Sequence, residues 1–321
     1  MSEHAVALGI DVGGTAFKIG LFDREGAKIA ADKHPTPRKG EAGAVLAAIA
    51  QAADDLLQHA GLPRESLAGA GLGVPGRVDP DSGVALNCPN LQVLDGVNVV
   101  LGLSQRIDTP VLLANDAFCA TLGELRYGAG QGANNLLLLT LGTGVGGGVV
   151  INNKAVRGPR QLMGEIGHMT ILPGGRRCGC GNFGCLEAMV AKEAMIEHAL
   201  RRLAAGRESL IDTLTGGEDA KISPKIISQA AGEGDAVALE VIAETGTYVG
   251  IAICNAVLMV DPDRVLVGGG IAAAGEPLFG AIRRTVKHRA CISQFDPEKI
   301  LPTSLGNEAG VYGAAAMVWE E

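Results

Sequence analysis

The chain of 321 residues is 47% hydrophobic, 19% charged and 3% aromatic, a balance that excludes disordered and collagen-like classes and suffices for a packed core. Its length predicts about two domains, and 47 glycines, roughly twice the usual share of about 7%, predict backbone turns close to a ligand. A net charge of −8 at pH 7, with no Lys/Arg run longer than pairs such as Arg176-Arg177, argues against nucleic acid as a partner.

The N-terminal residues lack the basic and long apolar regions of a signal peptide, so the mature chain is expected to start there and to stay in the cytoplasm. Residues 5–10 and 17–22 are apolar runs on either side of Asp11-Val-Gly-Gly-Thr15 and predict two strands joined by a glycine hairpin, with a third strand over 27–31. Residues 41–60 carry apolar side chains at helical spacing and stop at Gly61, a residue suited to a left-handed C-terminal cap. A buried strand over 67–74 is halted by Pro75-Gly76. A short strand over 111–114 then delivers Asn115-Asp116 to a helix over 117–127 that stops at Gly128.

The strand 136–141, the turn Gly142-Thr-Gly-Val-Gly-Gly147 and the strand 148–151 repeat the opening pattern, which predicts an internal duplication. Helices follow over 187–203, 224–232 and 235–260. A strand over 264–267 runs into Gly268-Gly-Gly270, ahead of helices over 277–287 and 309–319. The apolar stretch 249–260 falls short of the roughly 20 residues of a membrane span and reads as a buried helix, so no membrane is expected. Without a Pro- or Ser-rich linker between the halves, two tightly connected lobes with a cleft are the expected architecture.

Gly142 to Gly147 formally contains G-x-G-x-x-G, but the dinucleotide fingerprint needs a helix next and here a strand follows. A P-loop is excluded because no G-x-x-x-x-G-K-[ST] is present. A glycine hairpin can still cradle phosphate, since residues without Cβ let an anion reach backbone N–H groups and a nearby Thr hydroxyl adds a donor. Taken singly, each hairpin also reads as an ordinary turn. Two of them, with Asp11 placed to hold Mg²⁺ directly or through water, favour a bound triphosphate.

His168 precedes Cys178-Gly-Cys180-Gly-Asn-Phe-Gly-Cys185, one imidazole and three thiols suited to tetrahedral Zn²⁺ in a closed structural site. A disulfide pair or a bare loop are the alternatives. Cys88, Cys119, Cys254 and Cys291 sit in apolar surroundings and read as small core residues. Asp116, at the C-terminal end of a strand, is the candidate general base for transfer to a hydroxyl, while on spacing alone a helix N-cap is at least as good a reading.

Leu8-Gly-Ile-Asp11-Val-Gly-Gly-Thr15, Leu141-Gly-Thr-Gly-Val-Gly-Gly-Gly148, Val267-Gly-Gly-Gly270, Gly164-Glu-Ile-Gly-His168 and the string from Cys178 to Glu187 resemble segments of the ROK family of sugar kinases. The resemblance covers nearly the whole chain and implies an α/β, actin-like ATPase fold of two lobes, each on a duplicated ribonuclease-H-like sheet. It implies a small lobe over 1–115 with the C-terminal helix 305–321 returning to it. The large lobe would be 116–304, with a zinc loop over 168–187.

The resemblance also implies Asp116 as catalyst, and Gly76, Asn90, Asn115, Glu165, His168 and Glu187 beside it as sugar contacts. ATP and Mg²⁺ would be held by Asp11, Gly13, Gly14, Thr15, Gly142, Thr143, Gly144, Gly269 and Gly270. Ala16 departs from the Asn or Lys of many relatives, with Lys18 as a substitute. Zn²⁺ would be held by His168, Cys178, Cys180 and Cys185, with the second His168 nitrogen on substrate. A homodimer is expected. The sugar segments look most like those of bacterial glucokinases, implying ATP-dependent phosphorylation of glucose at the 6-hydroxyl. An N-acetylmannosamine or N-acetylglucosamine kinase is the nearest alternative, and a sugar-sensing protein without catalysis a more distant one. The family's repressors carry an N-terminal helix-turn-helix domain that this sequence does not show before Ala5.

Overall fold

A computed structural model describes residues 5–88 and 90–320. In chain order its strands and helices are β1 (Val6–Val12), β2 (Ala16–Phe22), β3 (Lys28–Pro35), α1 (Ala42–Ala60), β4 (Leu67–Val74), β5 (Arg77–Asp79), β6 (Val84–Leu86), α2 (Val99–Ile107), β7 (Val111–Asn115), α3 (Asp116–Tyr127), β8 (Leu136–Leu141), β9 (Val145–Ile151), β10 (Lys154–Val156), α4 (Leu186–Val190), α5 (Lys192–Ala204), α6 (Leu210–Thr215), α7 (Pro224–Gly232), α8 (Ala236–Val260), β11 (Arg264–Gly268), α9 (Glu276–Arg289), β12 (Ile300–Pro302) and α10 (Ala309–Ala316). Short 3-10 turns link several of them.

The chain forms two compact units. Among the described residues, unit 1 comprises those up to Gly132, the segment Arg157–Leu162 and everything from Ser304 on, and unit 2 comprises Ala133–Val156 and Met163–Thr303. Unit 1 holds a five-stranded sheet in the order β3-β2-β1-β4-β7, and unit 2 one in the order β10-β9-β8-β11-β12. In both, the first three strands in sequence are antiparallel neighbours and the next two add in parallel. The duplication expected from the paired glycine turns is therefore present strand for strand.

Unit 1 buries Leu8, Ile10, Phe17, Ile19 and Leu72 of its sheet against Val45, Ile49, Leu57 and Leu103 of α1 and α2. Its opposite face is built by close backbone approach. A Cβ on Gly9 or Gly71 would collide with carbonyls of α10, and one on Gly123 of α3 would collide with the Ala309 carbonyl. The family resemblance implied a first lobe ending at 115. The boundary falls instead after Gly132, because α3 packs on α10 through these small residues. The carboxylate of Glu124 is fully buried and accepts hydrogen bonds from the Ala129 N–H at 2.9 Å, the Ser304 N–H at 3.1 Å and hydroxyl at 3.2 Å, and the Leu305 N–H at 2.8 Å. One side chain thus fastens two loops of unit 1 that follow α3 and precede α10.

In unit 2, the sheet residues Leu137, Leu139, Val265 and Val267 pack with Val241, Val249 and Ile253 of α8 and Leu278 and Ile282 of α9. The helix expected over 187–203 is two helices, broken at Ala191, whose backbone is extended (φ −66°, ψ 170°). The apolar stretch of 249–260 is only the end of α8, which runs for 25 residues. By length and composition α8 could cross a membrane, and 61% of its most apolar 18-residue window is buried within the protein.

Candidate functional site

In unit 1, β1 and β2 are joined by a tight turn over residues 13–15, closed by the Gly13 N–H donating to the Ala16 carbonyl at 3.0 Å. Gly14 lacks a Cβ where the Asn90 carbonyl would stand 2.8 Å away, so the loop carrying Asn90 rests against this turn. Thr36, just after β3, braces it: its hydroxyl donates to the Gly13 carbonyl at 2.8 Å and its N–H to that of Thr15 at 3.0 Å. No motif flagged Thr36. Thr15 is exposed.

Asp11 lies at the β1 end of the turn, against Gly310 of α10, where a Cβ would come within 2.7 Å of its carboxyl carbon. Lys18 pairs with it at 3.2 Å and also donates to the Asn307 carbonyl. The charge of Lys18 is therefore taken up within the protein in this structure.

The cap of α3 falls on Asn115 and not on Asp116. Asn115 is the residue with extended backbone (φ −69°, ψ 149°) before α3, and its side-chain oxygen accepts from the N–H groups of Ala117 at 2.8 Å and Phe118 at 3.3 Å. Its amide donates to the Gly76 carbonyl at 2.7 Å. The cap is thus Asn115. Asp116 is the first helical residue, half-buried, with one oxygen accepting from the Ala117 N–H at 2.8 Å. A negative charge there also meets the positive end of the helix dipole. Two buried thiols lie in the electrostatic reach of this carboxylate: burial and the nearby Asp95 and Asp116 charges push Cys88 up to about 12, and burial with Asp11 and Asp116 raises Cys119 well above the usual thiol range. Both are fully enclosed and stay neutral, as core residues should.

In unit 2, the turn between β8 and β9 spans only Gly142-Thr143-Gly144, with the Gly142 N–H donating to the Gly144 carbonyl at 2.9 Å. Gly146, Gly147 and Gly148 belong to β9, a shorter turn than the run of glycines suggested. Their lack of side chains serves packing: the segment 164–167 lies on them, and a Cβ on Gly147 would stand 2.7 Å from the Ile166 side chain. Glu165 and His168 lie beside and in the short turn over Ile166–His168. Gly269 follows β11 with φ 86°, packed on Leu141, while Gly270 faces open space.

The ring and sulfur atoms of His168, Cys178, Cys180 and Cys185 all lie within 4.8 Å of one another. Cys178 Sγ is 3.7 Å from His168 Nδ1, and Cys180 Sγ is 3.8 Å from Cys185 Sγ. Tetrahedral Zn²⁺ with Zn–S bonds of about 2.3 Å would separate its sulfurs by about 3.8 Å, so the donor set fits the ion. Burial pushes the Cys178 thiol up to about 12, and a bound cation would favour its thiolate. His168 turns its other nitrogen, Nε2, toward Glu165, 3.8 Å away. Glu187, in α4, accepts from the Val145 N–H at 2.9 Å and stands 3.8 Å from Cys178 Sγ.

The model of the ROK family matches residues 7–321. A glucokinase of Halalkalibacterium halodurans is 34% identical across 98% of this chain and 95% of its own. The solved structure of a ROK family glucokinase from Streptomyces griseus, in complex with glucose and AMPPNP, superposes with a TM-score of 0.83 at 32% identity, covering 98% of this chain and 99% of the other. The DNA-binding transcriptional dual regulator NagC of Escherichia coli is 31% identical over 97% of this chain and 75% of its own length. Both sheets have the duplicated ribonuclease-H-like order of the actin-like ATPase fold, and on the strength of a match from end to end this chain belongs to the ROK family.

Proposed function

We propose that the chain is an ATP-dependent hexose kinase that phosphorylates glucose to glucose 6-phosphate. The observation that carries this reading is the match, over nearly the full length of both chains, to a solved glucokinase holding glucose and AMPPNP. The repressor among the relatives extends well beyond the region this chain matches.

In the reaction the 6-hydroxyl oxygen bonds to the γ-phosphorus, the bond from that phosphorus to the β–γ bridging oxygen breaks, and ADP leaves. Asp116 accepts the hydroxyl proton, the role its half-buried carboxylate can serve once Asn115 has taken the cap. The residues proposed to orient the sugar are Asn115, Asn90, the Gly76 backbone, Glu165, His168 and Glu187. Gly13, Gly14 and Thr15, together with Gly142, Thr143, Gly144, Gly269 and Gly270, offer backbone and hydroxyl donors to the phosphates. Asp11 is the residue to hold Mg²⁺, which when bound neutralises charge on the transferring group. His168, Cys178, Cys180 and Cys185 would hold Zn²⁺ as a brace with no open position for chemistry.

The use of ATP and a set of reduced thiols support a cytoplasmic setting, the acidic charge supports a partner list without nucleic acid, and the proposed assembly is a homodimer. ADP release coupled to a reporter, measured over glucose, mannose, fructose, N-acetylglucosamine and N-acetylmannosamine, tests the activity. The highest kcat/KM is expected with glucose. A higher value with an N-acetylhexosamine would move the substrate, and no release with any sugar would overturn the kinase reading.

A further inference from the structure

The two oxygens of Glu187 face different parts of unit 2. Oε2 accepts from the Val145 N–H at 2.9 Å, the first peptide after the Gly142-Thr143-Gly144 turn. Gly144 makes room for that contact, since a Cβ there would stand 2.6 Å from the same oxygen. Oε1 lies 3.8 Å from Cys178 Sγ in the cluster that fits Zn²⁺. The other side of the turn is held by the break between α4 and α5: the Lys192 N–H, freed by the extended backbone of Ala191, donates to the Gly142 carbonyl at 2.9 Å.

The helix that carries Glu187 starts at the cluster. Cys185 is the residue capping α4, and the Leu186 N–H that follows donates to the carbonyl of Met169, the neighbour of His168, at 2.9 Å. Ordering the four cluster residues therefore fixes where α4 begins, and Glu187 is its second residue. A turn with glycine at two of three positions has more conformational freedom to lose than a turn without glycine. Holding it at both ends before the ligand arrives lowers the cost of binding.

We propose that Glu187 is a positioning residue for the glycine turn, and that through it the occupancy of the Cys/His cluster sets affinity for nucleotide even with no sugar present. This goes beyond a sugar contact for Glu187 and a local brace for the metal. It rests on the reading of Gly142 to Gly144 as a nucleotide turn, and on a donor set suited to zinc.

The test is titration of ADP by calorimetry, without sugar, into the zinc-loaded protein, the chelator-treated protein and Glu187 variants, with zinc content and melting temperature measured on each preparation. Glu187→Ala is expected to keep its zinc and to bind ADP about tenfold more weakly, the scale of ordering roughly one backbone residue. Glu187→Gln retains an oxygen for the Val145 N–H and should bind ADP within about twofold of wild type. Chelation should weaken ADP binding in the wild type but add little in Glu187→Ala, because the two changes break the same link. Glu187→Asp, one methylene shorter, supplies the same comparison if the alanine variant does not fold. Unchanged ADP affinity in Glu187→Ala or Glu187→Asp, or an equal loss on chelation with and without Glu187, would overturn the proposal. If ADP coupling holds and no sugar is phosphorylated, the activity assigned above fails and this link survives.

Discussion

Asp116→Asn and Asn115→Ala are adjacent substitutions whose expected effects separate in melting temperature. Asp116→Asn removes the ability to take a proton and leaves the cap of α3 to Asn115, so kcat should fall by roughly 10²-fold or more with little change in melting temperature. Asn115→Ala removes the cap, worth about 1 kcal/mol, and unpairs the Gly76 carbonyl, so melting temperature should drop as well as activity. Measuring kcat and melting on the same preparations checks both; a stable Asp116→Asn enzyme with near wild-type turnover would remove Asp116 from the mechanism. Sequence could not separate the two roles, because Asn and Asp rank about equally at N-caps and only the backbone angles show which residue starts the helix. His198 was equally illegible. Its side chain is 1% exposed, and Nδ1 lies 3.3 Å from Glu244 without a hydrogen bond. Burial holds this imidazole below its usual 6.5, outweighing Glu244 and aided by Arg201, Arg202 and Arg176. Below about pH 6.5 the unfolded chain takes a proton that the native chain refuses, so stability should decline as pH falls through that value. His198→Gln should flatten this decline in denaturant midpoints measured between pH 7.5 and 5.5, and an unaltered slope would assign it to other groups.

At the scale of elements, unit 1 depends on how closely α10 lies on the sheet. Its sequence, Ala-Gly-Val-Tyr-Gly-Ala-Ala-Ala, is short of large side chains, and the facing strands supply Gly9 and Gly71. Gly71→Ala should destabilise by roughly 3 kcal/mol or more, at or above the top of the usual range for overpacking, because its Cβ meets backbone of α10 and no flexible side chain can yield. Denaturant unfolding of the purified variant is the check, and a loss under about 1 kcal/mol would mean that α10 can shift. Strands such as β1, β4 and β8 were legible from apolar runs bounded by glycine, and α1 from its spacing and its Gly61 cap at φ 67°. The break between α4 and α5 was not, since Ala191 is a good helix former and its extended backbone comes from the tertiary bond between Lys192 and Gly142. The true extent of the second glycine turn was hidden for a related reason: glycines needed for packing against 164–167 look in sequence like glycines needed for a turn.

At the scale of the whole molecule, the repeated strand order was legible from two glycine turns, while the place of α3 was decided by contacts between residues nearly 200 apart in the chain and could not be read locally. The same division shapes how the protein should unfold. Each unit has its own sheet and its own buried cluster, and the Cys/His set lies entirely in unit 2. Binding energy for a structural metal is stability for the region that holds it, and a chain of two units need not unfold in one step. Scanning calorimetry of the zinc-loaded protein should therefore show two transitions. Chelation, or Cys180→Ser, should lower the one belonging to unit 2, and Gly71→Ala should lower the other. The assignment does not depend on activity, because each perturbation acts on a core far from the other in sequence and chemistry. If both perturbations move one and the same transition by the same amount, the units unfold as a single cooperative body, and zinc would then brace the whole chain and not only the half that binds it.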